Sequence, residues 1–493
     1  MKKSAFRIFI IVIISICLLV SWSRQLNITP SIKIKFNDTL YKGNVSGKLI
    51  FLFSKDTTEQ LVYWVNPDKP HPVYTYDINN WNPKDTILIN QFSDEWFTKF
   101  SELKGEYSCR VLFDINTEER SSFVAKENGY SKKYKYAFKI ADEENLFFSI
   151  DNKFDGWLFN ESDTIKELKL KSKLLTEFWG KDIFIKSAVV LPKGFDSKNE
   201  NYQVVYVLPG FGSSHASVTN GTGQIDRYGM NKVGRDKIFV FMNGEFFQGY
   251  HHFADSENNG PWGKAFIEEF VPLVNETYGI NADKSKNYLM GQSSGAWSAI
   301  WLLINYPDFF EHAFAASPDP IDFRAHAFDI YKDNSSYYYP KNADSIELVK
   351  GRKTRELANL EFVLGEFGQI RTWEATFSPK NENGEIMLLF DRESGNINSK
   401  VAEYWSNYDI SKIINSDPNK YRQIISKKLH IFVSKDDPYD LNKSIELFEE
   451  MLKKNKVSAD INYYNGLGHN VWTDELRLYI HVELNRPQSE AVN

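Results

Sequence analysis

The stretch that decides the fold is KNYLMGQSSGAWSAI, which runs from Lys286 to Ile300. An apolar run, Tyr288 to Met290, leads into GQSSG (291–295), and apolar residues with helical spacing follow directly. This order predicts a strand, a tight turn and a helix, with Ser293 at the centre of a G-x-S-x-G pentapeptide. Small residues on either side of the serine let the strand and the helix pass close together. We therefore predict a nucleophile elbow in which Ser293 attacks and the N–H of Ser294 faces an oxyanion.

Apolar strand patterns alternate with helical patterns on both sides of this stretch. The strand patterns lie at 182–191, 203–208, 237–242, 312–316, 429–433 and 460–464, and the helical ones at 263–278 and 443–454. Such alternation is typical of a parallel sheet that is covered by helices on both faces. We assign this α/β domain, with a mostly parallel sheet, to residues 165–485. The polar segment 318–428 separates two of its strands, and a segment of that length predicts a cap insertion over the substrate pocket.

The part of the chain before this domain has a different character. Residues 24–150 contain several strand patterns separated by Asn, Asp, Gly and Pro, which predicts a β-sandwich module. Residues 1–23 begin with Lys2, Lys3 and Arg7, followed by an apolar run and small residues. This pattern predicts a signal peptide and a secreted or periplasmic protein. A leader that is not cleaved would instead anchor the protein in a membrane.

Composition excludes several other classes of protein. The chain has 493 residues, 42% of them hydrophobic and 15% aromatic, which is enough for a large folded core. A net charge of −6 without a long basic run argues against nucleic acid as a partner. Of the two cysteines, Cys17 lies in the leader, so Cys109 would be unpaired in the mature protein and no disulfide framework is expected.

The base that activates Ser293 should follow the acid and come late in the chain. His469 lies in a glycine-rich loop directly after the last predicted strand, where a triad histidine belongs. His312 and His430 lie within strand patterns, and His326 and His481 lie in the insertion and the C-terminal helix. We therefore predict His469 as the base.

The acid should follow the preceding strand, and three aspartates compete for this role. Asp436 and Asp437 stand together in SKDDPYDL (434–441), and Asp319 ends the strand before the insertion. Any of them could orient the imidazole and stabilise its protonated form. We prefer Asp437 and leave Asp436 and Asp319 open as alternatives.

A second oxyanion donor is expected from a loop that follows an early strand. The loop VLPGFGSSH (207–215) meets this requirement, with the N–H of Phe211 or Gly212 as the donor. The substrate pocket is expected to contain His252, Trp262 and Gln292. The histidines and carboxylates at 251–257 match no standard metal pattern, so we expect no metal ion and no cofactor.

Taken together, these motifs resemble the putative-esterase family of α/β-hydrolases, which includes esterase D-like, enterochelin esterase-like and feruloyl esterase-like proteins. The resemblance runs from about residue 178 to 469 and is carried by VLPGFGSSH (207–215), HHFADSENNGPWG (251–263), GQSSGAW (291–297), SPDPIDFR (317–324), SKDDPYDL (434–441) and GLGH (466–469). It implies an α/β-hydrolase domain with Ser293 as nucleophile, His469 as base and Asp437 as acid.

The resulting prediction is a secreted or periplasmic serine esterase that acts on a small-molecule or polysaccharide-linked ester. Two alternatives remain open from the sequence. One is a catalytically inactive protein that binds a ligand or carbohydrate on a hydrolase fold. The other is an acyltransferase, in which a second alcohol takes the place of water.

Overall fold

The computed structural model describes residues 31–486, apart from 57, 59–60, 62–69, 121–124, 139–144, 221–223, 229–235, 283–285, 327, 333–335 and 340–344. The predicted leader, residues 1–23, lies outside this part of the chain. The chain divides into two compact units. Unit 1 runs to Asn116 and resumes over Lys126–Phe154, and unit 2 consists of Thr117–Ala125 and the chain from Asp155 onward. The predicted domain limits, 24–150 and 165–485, stay predictions.

The described residues of unit 1 form nine strands. They are β1 Ile32–Phe36, β2 Val45–Ser54, β3 Val73–Trp81, β4 Ile87–Ile89, β5 Asp94–Trp96, β6 Gly105–Asp114, β7 Gly129–Ser131, β8 Tyr134–Phe138 and β9 Leu146–Lys153. They join in one sheet with the order β4-β1-β9-β7-β6-β2-β3-β5, and β8 pairs with β6. The β-rich character of this region is therefore as predicted, while its division into the two sheets of a sandwich stays a prediction.

Unit 2 is built around a second sheet. Its strands are β10 Ile165–Lys171, β11 Phe184–Val190, β12 Val204–Leu208, β13 Ile238–Met242, β14 Glu245–Phe246, β15 Gly249–Tyr250, β16 Asp255–Ser256, β17 Gly260–Pro261, β18 Asn287–Gln292, β19 His312–Ala316, β20 Leu429–Ser434 and β21 Asp460–Tyr464. Eight of them form a sheet in the order β10-β11-β13-β12-β18-β19-β20-β21. The six strands β13, β12, β18, β19, β20 and β21 pair in parallel with their neighbours. Strand β11 pairs antiparallel with β13 and with β10. The mostly parallel sheet is therefore present.

Both faces of this sheet are buried, as the sequence pattern predicts. All five residues of β12 are buried, with Tyr206 in the core cluster on one face and Val205 in the cluster on the other. Helices supply the covering layers: α1 Lys173–Trp179, α2 Gln224–Arg227, α3 Trp262–Ala265, α4 Val271–Tyr278, α5 Ser294–Asn305, α6 Ser345–Leu364, α7 Gln369–Phe377, α8 Ser399–Trp405, α9 Ile410–Ser416, α10 Pro418–Lys428, α11 Leu441–Lys454 and α12 Asp474–Leu484. A π-helical turn, Phe266–Phe270, joins α3 to α4. None of the helices in the described ranges is long and apolar enough to span a membrane.

The segment predicted as a cap, 318–428, lies between β19 and β20 and contains helices α6 to α10. Its role as a cap stays a prediction. Within it, Glu361 near the end of α6 is only 4% exposed. Its carboxylate accepts the N–H groups of Ile370 and Arg371, at 3.2 and 3.0 Å, at the start of α7. Because the residue before α7 is Gly368, which offers no capping side chain, Glu361 serves as the cap of this helix.

Burial makes the Glu361 carboxyl a source of pH-dependent stability. Desolvation raises its pKa from the ordinary 4.5 to about 7 in the folded protein. The unfolded chain therefore releases this proton more readily, and the stabilising contribution is complete below pH 4.5 and is lost as pH rises through 7.

We expect Glu361→Gln to flatten this dependence. Loss of the capping carboxylate should lower the unfolding free energy of the variant by the same amount at every pH. In addition, the difference in unfolding free energy between variant and native protein should shift by roughly 2 kcal/mol in favour of the variant between pH 5 and pH 8. Urea unfolding at both values measures the difference. Glu356→Gln, on the same helix but partly exposed, is the matched control. A gain of the same size in both variants would contradict the assignment to Glu361.

Candidate active site

Ser293 occupies a sharp turn between β18 and α5. Its backbone has φ 58° and ψ −127°, a conformation that residues other than glycine rarely adopt. Two close approaches make this turn possible. A Cβ on Gly291 would lie 2.3 Å from the carbonyl oxygen of Gly295, and one on Gly295 would lie 2.2 Å from that of Leu208. The strand, the turn and the helix of the predicted elbow are therefore all present, and both glycines are required sterically.

His469 and Asp437 meet at the carboxyl edge of the same sheet. Asp437 follows β20 and His469 follows β21, and His469 Nδ1 lies 2.8 Å from Asp437 Oδ2. The carboxylate side chain is fully buried, while the imidazole is 24% exposed. An Nδ1–H that donates to Asp437 leaves Nε2 as the acceptor nitrogen of a neutral imidazole. The structure thus brings the predicted base and the preferred acid together.

Asp436, the alternative acid, has different partners. Its Oδ1 accepts the Ser434 hydroxyl at 2.6 Å and the N–H of Gly466 at 2.8 Å, and its Oδ2 accepts the N–H of Gly468 at 3.3 Å. The Ser434 hydroxyl and these N–H donors hold the pKa of Asp436 below its ordinary value. Asp436 therefore fixes the backbone of the loop that carries His469, and Asp437 holds the imidazole.

Gln292 also supports the histidine loop. Its Nε2 donates to the backbone oxygen of His469 at 3.0 Å, and its Oε1 accepts the indole N–H of Trp472 at 3.0 Å. The sequence predicted Gln292 as a pocket residue, whereas these hydrogen bonds link the elbow to the loop that carries His469. The contribution of Trp472 was not predicted, because nothing local marks an indole as the partner of a residue 180 positions earlier.

Asp319 contacts the elbow itself. Its Oδ1 accepts the Ser293 hydroxyl at 3.1 Å, and its Oδ2 accepts the Ser294 hydroxyl at 2.6 Å. Among the described residues, no hydrogen bond joins the Ser293 hydroxyl to His469. Burial raises the pKa of Asp319, although the serine hydroxyls and the nearby charge of His469 lower it. Asp319 is therefore a neighbour of the nucleophile rather than the partner of the base.

The loop after β12 holds the predicted oxyanion donors. The N–H of Gly212 donates to Glu245 Oε1 at 2.7 Å, so this group is already bonded. Gly210 passes close to the elbow, since a Cβ there would lie 3.7 Å from the Cβ of Ser293. Of the two predicted donors in this loop, Gly212 is therefore occupied by Glu245, and Phe211 and Ser294 stay predictions.

The two remaining pocket predictions, His252 and Trp262, are not supported by the structure. Trp262 is 3% exposed and stacks on the ring of His251 with 3.6 Å between centroids. His252 is 1% exposed, bonds Thr376 Oγ1 at 3.0 Å through Nδ1, and has its pKa lowered to about 3 by burial. Both side chains belong to the core because the 251–263 loop folds inward. Within the described ranges, no three His, Cys, Asp or Glu side chains are grouped so that they could hold a metal ion.

A second aspartate–histidine pair lies at the other edge of the sheet. His430 Nδ1 is 2.6 Å from Asp460 Oδ2, and His430 Nε2 is 2.9 Å from His312 Nδ1. His430 and Asp460 stand at the amino ends of β20 and β21, whereas the elbow follows the carboxyl end of β18. These two histidines therefore lie at the opposite edge of the sheet from the elbow.

The mixed sheet, the strained turn after β18 and the loops that gather at its carboxyl edge define a fold of the α/β-hydrolase type. Residues 183–380 match the model of the family described as Putative esterase. The match confirms the resemblance to that family and the prediction of a carboxylic ester hydrolase. It includes Phe211 and Ser293 but ends before Asp437 and His469, whose assignment depends on the geometry above. No curated protein sequence matches the chain.

Several solved structures are similar to the chain. A ferulic acid esterase shares 17% identity, with a TM-score of 0.38, and the match covers 65% of this chain and 95% of that chain. A fluorophosphonate-binding serine hydrolase of Staphylococcus aureus shares 16%, with a TM-score of 0.39 and coverage of 65% and 98%. An S-formylglutathione hydrolase of Agrobacterium tumefaciens shares 14%, with a TM-score of 0.38 and coverage of 66% and 95%. Similarity at this level gives no evidence about substrate or mechanism.

The geometry of the elbow generates a prediction about its second glycine. Gly295→Ala would drive a methyl group into the carbonyl oxygens of Leu208 and Pro209, so we expect a loss of roughly 3 kcal/mol or more together with the activity. Gly384→Ala is the matched control, because φ is 82° there but the space around it is open, and its cost should be roughly 1 kcal/mol. Chemical denaturation of both variants measures the difference, and equal losses would contradict a steric requirement at Gly295.

Proposed function

We propose that this protein is a serine esterase that hydrolyses a carboxylic ester through an acyl-enzyme on Ser293, with His469 as base and Asp437 as acid. One observation carries the proposal. The 2.8 Å contact between His469 and Asp437 forms at the carboxyl edge of the sheet, where the elbow also presents Ser293. Chain order and strand positions agree with this arrangement, and the family match includes Ser293.

Acylation begins with the serine hydroxyl. Rotation about its Cα–Cβ bond would transfer the Ser293 hydroxyl from Asp319 to His469 Nε2, which takes the proton as Oγ attacks the ester carbonyl carbon. Asp437 stabilises the imidazolium that forms. His469 then returns the proton to the alkoxide, which leaves as the alcohol.

Deacylation repeats these steps with water. His469 removes a proton from a water molecule, the hydroxide attacks the acyl carbonyl, and the acid leaves as Ser293 regains its proton. In both halves of the reaction the negative oxygen would be held by the N–H groups of Phe211 and Ser294. Preorganised donors of this kind supply a large part of the rate enhancement in acyl transfer.

The leader 1–23 supports a location outside the cytoplasm, in a secreted or periplasmic form, or membrane-anchored if the leader is retained. Three substrate classes fit that location and the family: acyl or feruloyl esters of polysaccharides, siderophore-like lactone esters, and small esters in general. The segment 318–428 is proposed to act as the cap that selects among them. Its helix α7 already reaches the site, since Gln369 Nε2 lies 3.5 Å from Asp319 Oδ2.

The first test of the proposal is hydrolysis of p-nitrophenyl acetate and methyl ferulate by the purified protein. Ser293→Ala should abolish turnover of both esters, because no other nucleophile replaces Oγ. Ser298→Ala, on the same helix, should retain it, since its hydroxyl donates only to the Ser294 carbonyl at 2.8 Å and lies near Tyr250. Turnover that persists in Ser293→Ala would exclude Ser293 as the nucleophile. Absence of turnover in the native protein would favour the inactive binding protein. Products that contain a second alcohol would indicate an acyltransferase.

The adjacent aspartates allow a matched test of the acid. Asp437→Asn should lower kcat by roughly three orders of magnitude, because an amide opposite Nδ1 favours the wrong imidazole tautomer. Asp436→Asn keeps one acceptor oxygen for the loop and should cost roughly tenfold or less. Steady-state kinetics with p-nitrophenyl acetate compares the two. A larger loss in Asp436→Asn would assign the acid to Asp436 instead.

A further inference from the structure

One arginine reaches the oxyanion loop from a distant part of the sequence. Arg120 lies in the segment Thr117–Ala125, which connects β6 and β7 of unit 1 in the sequence but belongs to unit 2 by its contacts. Its side chain is 14% exposed. No motif in the sequence marks this segment, and the ester hydrolysis proposed above uses none of its residues.

The guanidinium of Arg120 has three partners. Its Nε donates to Glu245 Oε2 at 2.5 Å, and one terminal nitrogen donates to Glu366 Oε1 at 3.2 Å. Its central carbon lies 4.4 Å from the centre of the Phe211 ring, a cation–π geometry. Burial alone would lower the pKa of Arg120, but Glu245 and Glu366 raise it above its ordinary value, so the charge is retained.

These partners lie on both sides of the proposed oxyanion donor. Phe211 carries that N–H, and its ring packs under the guanidinium. Gly212, the next residue, donates its N–H to the free oxygen of Glu245 at 2.7 Å. Arg120 also lies directly against Gly212, since a Cβ there would be 3.7 Å from a terminal nitrogen of the guanidinium. The arginine therefore constrains the ring of Phe211 directly and the following peptide through Glu245.

The position of this loop matters more for the reaction than for substrate binding. A backbone donor must point at the site that the oxygen occupies in the tetrahedral state, and small displacements weaken it strongly. Gly212 has φ 79°, which glycine adopts as readily as negative values, so its own backbone does not fix the loop and contacts from outside must do so. A planar guanidinium that bonds two different carboxylates fixes direction as well as distance, which a lysine cannot reproduce.

We propose that Arg120 is a positioning residue that holds the Phe211 N–H in place for the oxyanion, and so sets the rate of acyl transfer from outside the catalytic triad. This inference rests on the proposed function, because it requires a tetrahedral intermediate on Ser293. The expected signature is a loss in kcat with little change in KM. A boronic acid that forms a tetrahedral adduct on the serine should lose affinity in parallel with kcat/KM.

The experiment compares variants of the full chain with p-nitrophenyl acetate as substrate and phenylboronic acid as inhibitor. Arg120→Met should lower kcat about 30- to 100-fold, raise the inhibition constant of the boronic acid by a similar factor, and leave KM within about threefold. Arg120→Lys should recover only part of the loss, and Glu245→Gln should change the same quantities in the same direction. Thermal unfolding of each variant separates this effect from a loss of folded protein.

Arg110→Met is the matched control. Arg110 also lies over an aromatic ring, 5.5 Å from the centre of Tyr130, and its Nε donates to a carbonyl oxygen, that of Ser131, at 3.0 Å. The contacts that the structure describes for Arg110 lie within unit 1, so kcat and the inhibition constant should match those of the native protein. An equal loss of kcat in both arginine variants would assign the effect to general destabilisation and overturn the inference.

Two other results would also overturn it. In an active native enzyme, Arg120→Met that keeps kcat within threefold, or that raises KM alone, would exclude a role in positioning the donor and would leave the esterase intact. A native protein that neither hydrolyses the ester nor binds the boronic acid would remove the proposed function and this inference together. The two failures are therefore distinguishable.

Discussion

The backbone conformation of Ser293 is the constraint on which the rest of the site depends. A non-glycine residue in this region costs about 1–3 kcal/mol and persists only where its surroundings enforce it. Here β12 and β19 flank β18, the Ser293 N–H bonds the Ala316 carbonyl at 3.0 Å, and Gly295 passes against Leu208. Because these contacts require three parallel strands in register, the sheet is what holds the serine at its carboxyl edge. The loops after β12, β20 and β21 follow the carboxyl ends of their strands as well, so the proposed donor, acid and base lie at the same edge as Ser293.

The loop that carries His469 is held by three side chains of different kinds. Asp437 orients the imidazole, Asp436 binds the backbone of the two glycines before it, and Gln292 binds the backbone oxygen of His469 itself. A glycine-rich loop has little rigidity of its own, so the position of the base is determined by these bonds. Gln292 immediately precedes the nucleophile, which couples the placement of the base to that of the elbow.

A feature could be predicted from the sequence when the interacting residues lie close together in the chain. The elbow and the parallel sheet depend on local patterns and on chain order, and the structure has both. The choice of His469 as the base used the same chain order, and its 2.8 Å contact with Asp437 agrees with that prediction. The choice between Asp436 and Asp437 needed side-chain directions within one turn, which a sequence does not contain. Arg120 and Glu245 meet across 125 positions without any local motif, so neither could be predicted. His252 and Trp262 were misplaced because a polar, aromatic loop resembles a pocket lining until its burial is known.

Three carboxylates lie near Ser293 and the loop after β12, and pairing compensates part of their charge. Asp319, Glu245 and Glu366 surround a serine and a loop that must accommodate a developing negative charge, and in a water-poor site ionised carboxylates would oppose it strongly. Glu245 and Glu366 share the single positive charge of Arg120, which offsets one of their two negative charges. Burial raises the pKa of the Asp319 carboxyl, while the hydroxyls that it accepts from Ser294 and Ser293 act in the opposite direction. Because Asp319 Oδ1 accepts the Ser293 hydroxyl at 3.1 Å, the proposed acylation requires that this bond be broken before the hydroxyl can reach His469.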